Sequence, residues 1–296
     1  MSVSMLHEPA ILGISVAPPY DFLGCVNGHG WSVLAPFARG DASLHRVELL
    51  TTGKVVQLEL SAASDLQTTG VSIRVSAALT PAEQAEVIRN VRWMLRLDED
   101  FAEFYALCRW QGKHYLSAIG RGRLLRSPTL FEDAFKVLLT TNTTWRQTQQ
   151  MAARTVAALG QPLPEHPDLR AFPTPAAVLD AGETFFKDEA RLGYRSGAAI
   201  GLAERAAELE ALRDSSLPTP ELRKRLLSFK GIGPYGAATL LMLLGRYEYL
   251  AVDSEVRAFT AKKYFAGVPG TPAAIEQLYA HWGRWQYLGY WLDSND

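Results

Sequence analysis

The chain is short of the residues that build metal sites. It has 2 cysteines, Cys25 and Cys108, far apart in sequence, which excludes a four-cysteine zinc or iron–sulfur site and suits a reducing compartment. Its 6 histidines (His7, His29, His45, His114, His166, His281) fall without ligand spacing, so no metal held by side chains is expected. No apolar run approaches the roughly 18 residues of a membrane span, and the opening MSVSMLHEPAILGISVAP has neither a basic n-region nor a long h-region. A cytoplasmic protein without membrane contact is the expectation. Net charge is scarce too, at -1, which neither favours nor excludes a nucleic-acid partner, because binding depends on where the basic residues cluster. Apolar residues are plentiful. They make up 48% of 296 residues, enough for one large unit or a few smaller ones.

The first eighty residues read as extended. HRVELLTTGKVVQLEL has two β-rich runs around a Thr-Thr-Gly-Lys turn, and VSIRVSA alternates Val71, Ile73 and Val75 with polar residues, the pattern of a half-buried antiparallel sheet. The pattern switches at Thr80-Pro81, where Thr80 and Glu83 form a capping box. Helical patterning then dominates. Thr129 and Glu132 repeat the opening, Gly160 closes the helix that begins near Trp145, and further helices start at Thr174-Pro175, Thr219-Pro220 and Thr271-Pro272. The proline-rich GQPLPEHPDLRAFPTP is expected to be a surface connection. No repeat or low-complexity tract is present. The fold class is therefore α+β: an N-terminal β-sheet region with a flanking helix over 1–98, then an all-helical body over 99–296. That body divides into a helical part at about 130–225 and a hairpin with C-terminal helices at 226–296.

Within LLSFKGIGPYGAATLLMLLG a short helix ends near Phe229, Gly231 and Gly233 turn the chain, and Pro234 opens a second helix. The first N–H groups of that helix lack intrahelical partners, and with the helix dipole they make a place for a phosphate oxygen. A plain αα-hairpin uses glycine in the same way. Between Glu221 and Phe265 eight basic residues, Lys230 among them, face four acidic ones; that local excess suits a phosphate-facing surface and also an ordinary solvated face.

The pattern Leu-x-x-x-Gly-Ile-Gly-Pro-x-x-Ala, with Val-Asp some twenty residues on, resembles the helix-hairpin-helix DNA glycosylase superfamily. TTNTTWRQTQQMAARTVAALG and LGYRSGAAI are similar to the 8-oxoguanine DNA glycosylase type. APPYDF, the sheet region and HWGRWQYLGYWL are similar to the 3-methyladenine DNA glycosylase II type. The resemblance implies that the hairpin grips double-stranded DNA through Lys230, Gly231, Ile232, Gly233, Tyr235 and Gly236, with Asn142, Thr143 and Arg146 also on the DNA. Asp253 takes the place of the aspartate that cleaves the N-glycosidic bond. Asn142 matches the residue that plugs the gap left by a flipped base, or it caps a helix. Trp145, Tyr194, Tyr235, Trp282 and Trp285 are candidate plates for the extruded base, or core. A monovalent cation on the backbone carbonyls of Leu227, Phe229 and Ile232 is also implied, with no other cofactor and no iron–sulfur cluster. Lys230 departs from the proline usual before Gly-Ile-Gly, which alters the rigidity of the turn.

The chemistry suits these residues. Breaking a glycosidic bond builds positive charge on the sugar, which a carboxylate stabilises while it orients water. Asp253 follows the apolar YEYLAV and opens the helix DSEVRAFTAKKYF, so it can cap that helix and act in a partly dry pocket. Bifunctional relatives carry a lysine where this chain has Tyr235, and tyrosine forms no Schiff base. The expectation is a monomeric, monofunctional DNA glycosylase for a damaged purine, alkylated in preference to 8-oxoguanine, against the rival of a non-catalytic damaged-DNA-binding module.

Overall fold

The computed structural model describes residues 10–63 and 69–295; the reading of the first nine residues as no leader lies outside them. Five antiparallel strands, β1 (Ala10–Ser15), β2 (Phe37–Arg39), β3 (Ser43–Leu49), β4 (Val55–Ala62) and β5 (Gly70–Val75), form a sheet in the order β1-β5-β4-β3-β2. The Thr-Thr-Gly-Lys turn joins β3 to β4, and Val71, Ile73 and Val75 are fully buried. The first eighty residues are not all extended. A short helix, α1 (Phe22–Asn27), and a 3-10 turn, Trp31–Val33, lie between β1 and β2. Asp21 caps α1 by accepting from the Gly24 N–H at 2.8 Å, a local bond that overrides the β-rich surroundings.

The helices follow. They are α2 (Pro81–Met94), α3 (Ala102–Trp110), α4 (His114–Ile119), α5 (Leu130–Thr140), α6 (Trp145–Leu159), α7 (Pro175–Asp188), α8 (Ser196–Glu204) and α9 (Ala206–Glu210), then α10 (Thr219–Leu226), α11 (Pro234–Leu243), α12 (Ser254–Tyr264), α13 (Pro272–Tyr279) and α14 (Gln286–Ser294). Thr80 and Glu83 make the expected capping box on α2. Thr129 caps α5, whereas the Glu132 side chain turns instead to Arg46 and Lys136. The proline-rich connection after α6 is more ordered than expected: Pro162–Leu163 and His166–Arg170 pair as a small hairpin, and Leu163 and Ala171 pack on Val47 of the sheet.

A single large hydrophobic core runs from Ile14 in the sheet to Leu292 in α14, without a break near residue 98. Two buried polar clusters cross it. Arg46 on β3 pairs with Glu132 on α5 at 3.1 Å, and Lys136 joins the same carboxylate at 2.6 Å, tying the sheet to the helix that precedes Asn142. At the far end of α11, Arg96 Nη2 donates to the carbonyls of Met242 and Leu243 at 2.8 and 3.1 Å, and Arg126 Nη1 donates to Leu243 at 2.8 Å. These guanidinium groups satisfy carbonyls that a helix end leaves open and place positive charge at the negative end of its dipole. The N-terminus of α11 is thereby held in place for the site. Among the described residues no helix is long and apolar enough to cross a membrane.

Candidate functional site

Helices α10 and α11 meet at the glycine turn as a hairpin, with Gly233 as the N-cap of α11. No side chain caps this end, and the N–H groups of Gly233, Tyr235 and Gly236 donate to no described residue. They are free donors at the start of the helix, that of Gly233 on the exposed turn and that of Gly236 on a buried residue. The two turn glycines differ. Gly231 has φ +85°, and a Cβ there would lie 2.7 Å from both Ala198 Cβ and Leu138 Cδ1, so its glycine lets the hairpin pack on α8 and α5. Gly233 has ordinary backbone angles, and nothing lies within 4 Å of where its Cβ would be. Ile232 turns its side chain into the core.

Beside the hairpin opens a cleft of about 1100 Å³. It gathers Asn142, Thr143, Trp145, Tyr194, Gly231, Gly233, Tyr235, Gly236 and Asp253 from the sequence-predicted set. Asp253 is the N-cap of α12 and accepts from the Val256 N–H through Oδ1 at 2.8 Å; Oδ2 makes no bond to a described residue. Around it stand three phenols. Burial raises the pKa of Tyr235, and the charge of Asp253 adds to the effect; Tyr287 is raised in the same way, and Tyr290 is pushed up to about 12 by burial and then by Asp253. All three stay protonated at neutral pH. The cleft lining carries the carboxylates of Asp253 and Glu255 and neither lysine nor arginine.

At the rim, Asn142 has φ +45°, and its Nδ2 donates to the Tyr194 hydroxyl at 3.2 Å. The cap of α6 is Thr144, not Asn142, with Gln147 completing a capping box. Arg195 holds this turn from behind: its Nε donates to Thr141 O at 3.1 Å, its Nη2 to Asn142 O at 3.2 Å, and its guanidinium lies 4.5 Å from the Tyr194 ring centre. Sequence reasoning missed Arg195, although LGYRSGAAI contains it.

Several expected residues are not brought in. Trp282 is 4% exposed and packs on Phe104 in the core, and Trp285 stacks on Tyr247 at 5.2 Å. The C-terminal wall is instead Tyr287, Tyr290 and Trp291 of α14. Gly283, with φ +55°, breaks the helical run there, so helical spacing does not carry from Trp282 into α14. Lys230 sits beside Gly197 and Glu183, on the α8 side of the turn, and Arg146 is exposed on α6; neither lines the cleft. His29, Gly30 and Trp31 also line it, supplied by the segment that patterning read as strand. Trp31 Nε1 donates to the buried carboxylate of Asp133 at 2.8 Å.

No protein-family profile and no curated protein sequence matches the chain. Its structure is similar to the 3-methyladenine DNA glycosylase from Archaeoglobus fulgidus, with a TM-score of 0.73 at 23% identity over 95% of this chain and 97% of that one. It is also similar to the 8-oxoguanine glycosylase/lyase of Clostridium acetobutylicum in its apo form, with a TM-score of 0.70 at 16% identity over 96% and 98%. MBOgg1 in complex with a low-affinity DNA ligand gives 0.69 at 16% identity over 97% and 96%. This chain shares its fold with these three proteins, matched over nearly the full length of each.

Proposed function

We propose that this chain is a monofunctional DNA glycosylase that removes an alkylated purine from double-stranded DNA by hydrolysis, acting as a monomer. The observation that carries the reading is the joint placement of Asp253 and Tyr235 in one aromatic cleft at the hairpin, with no lysine in its lining. Free N–H groups at the start of α11 hold a phosphate, and Asn142 at the rim fills the gap left by the extruded base. The base then lies among Trp31, Trp145, Tyr235 and the α14 aromatics. Asp253 stabilises the positive charge that develops on the sugar, and its free Oδ2 orients water. Carboxylates and protonated phenols without a cation suit a base that itself carries positive charge, as an N-alkylated purine does. Such a base leaves readily, so no amine nucleophile is needed.

An 8-oxoguanine lesion is the second reading, favoured by the Asn142–Tyr194 pair at the rim. A monovalent cation fits the turn: the carbonyls of Leu227 and Ile232 accept no hydrogen bond from described residues, and Phe229 O accepts only from Ile232 N at 3.1 Å. It would add positive charge where a phosphate approaches, and potassium dependence of DNA affinity tests it.

The function is tested by base release from duplexes carrying 7-methylguanine, 3-methyladenine or 8-oxoguanine, with borohydride present in parallel. The expected result is release of an alkylated base, an alkali-labile strand and no trapped adduct. A trapped adduct that vanishes in Lys230→Ala would show a bifunctional enzyme, and preferential release of 8-oxoguanine would overturn the alkylpurine assignment.

A further inference from the structure

Trp93 on α2 is held between two cations. The guanidinium carbons of Arg126 and Arg213 lie 3.4 and 3.8 Å from its ring centre, and two groups so close to one ring fit only on opposite faces. All three residues line a hollow of about 400 Å³ at the C-terminal end of α11, and Arg89, one turn before Trp93, lines it as well. This hollow shares no lining residue with the cleft of Asp253.

The carboxylates of the hollow are already engaged. Asp98 pairs with Arg92, Arg96 and Arg126 share Oε1 of Glu99 at 2.9 Å each, and Asp100 accepts from the Ala102 N–H at 2.8 Å. Arg89 and Arg213 form no ion pair with a described residue. Arg213 Nη1 donates to Pro128 O at 2.9 Å, whereas its Nε is buried with no partner among the described residues. Burial lowers the Arg213 pKa, with Arg89 adding to the effect against Asp214 and Glu210. Burial and then the charge of Arg96 bring Arg126 down to about 10. Both stay charged at neutral pH, so positive charge is under-compensated here.

We propose that this hollow is a binding site for a phosphate dianion, free or as a monoester, held by Arg89, Arg126 and Arg213. A guanidinium fork matches phosphate oxygens with paired N–H bonds, and a dianion supplies both of the negative charges that Arg89 and Arg213 lack. A phosphodiester or a carboxylate supplies only one. The faces of Trp93 are covered by the two guanidinium groups, so recognition falls on the phosphate and not on a stacked ring.

Isothermal titration of the full chain at pH 8 and constant ionic strength compares inorganic phosphate, glycerol 3-phosphate, dimethyl phosphate and acetate. At least one of the two dianions should bind, one per chain, about 10-fold or more tighter than the two monoanions. Tighter binding of glycerol 3-phosphate than of phosphate would assign a monoester as the ligand, and the reverse would assign free phosphate. Arg89→Gln alters an exposed side chain and should fold as the wild type does; it should weaken dianion binding by about 10-fold, the scale of one charge-assisted hydrogen bond. Arg213→Gln should weaken it similarly. The start of α11 also offers N–H donors to a phosphate, so Gly233→Val is titrated in parallel. Binding weakened by Gly233→Val and untouched by Arg89→Gln would place the anion at the hairpin and overturn the proposal. Failure of both dianions to bind, or dianions held no better than acetate, would overturn it too, and neither result touches the glycosylase reading of the cleft.

Discussion

The carboxylate of Asp133, 1% exposed inside α5, accepts from the indole Nε1 of Trp31 at 2.8 Å and from the Ser127 N–H at 2.9 Å through the same oxygen. A wall of the cleft is thus held by a buried acid one layer beneath it. Burial pushes that acid up to about 6, against its ordinary 3.8.

Since the folded form binds the Asp133 proton more tightly than the unfolded chain, this group lowers stability as pH rises from about 4 to about 6, then has no further effect. Asp133→Asn keeps the accepting oxygen and removes the titration. The variant should gain stability relative to wild type across that window, by about 3 kcal/mol for a shift of this size. Urea unfolding of both proteins at pH 4 and 7 checks it, and a constant difference between them would refute it.

Asp253 both caps α12 and stands in the cleft. Asn can accept from the Val256 N–H as Asp does, so Asp253→Asn should leave stability within about 1 kcal/mol of wild type, since Asn and Asp cap equally well. Base release should fall by at least about 100-fold, the usual scale for losing one preorganised electrostatic group. Excision at near wild-type rate would remove Asp253 from the chemistry.

The two hairpin glycines should separate. Gly231→Ala, at φ +85° and against Ala198 and Leu138, should destabilise the fold by about 1–3 kcal/mol. Gly233→Val should cost no more than about 1 kcal/mol, through the poorer N-cap, while weakening damaged and undamaged duplexes equally, because its side chain stands where a phosphate approaches. Thermal unfolding and salt-dependent affinity measured on both variants decide this.

Asn142→Ala removes the bond to Tyr194 but not the Thr144 cap. Release from duplexes should fall more than release from single strands, in which no partner base is left behind. Equal losses would mean that the residue shapes the turn and nothing more.

What the sequence made legible follows from range. Thr80 with Glu83, Asp253 with Val256, and the Gly-Ile-Gly-Pro turn are bonds within a few residues, and each stands where the pattern put it. The cleft walls are different. His29 and Trp31 come from a segment that resembles strand, and their orientation depends on Leu125 and Asp133, about a hundred residues away. Trp282 and Trp291 look equivalent in HWGRWQYLGYWL, yet Gly283 turns the chain so that one enters the core and the other the cleft. Burial set by distant partners leaves no local signature.

The hydrogen bond from Trp291 to the Gly28 carbonyl joins segments 263 residues apart. The last helix therefore closes the cleft against a segment near the start of the chain, and Leu288 and Leu292 of the same helix lie in the main core. The cleft cannot be completed before the chain is nearly finished, and loss of α14 would open the core and the cleft together.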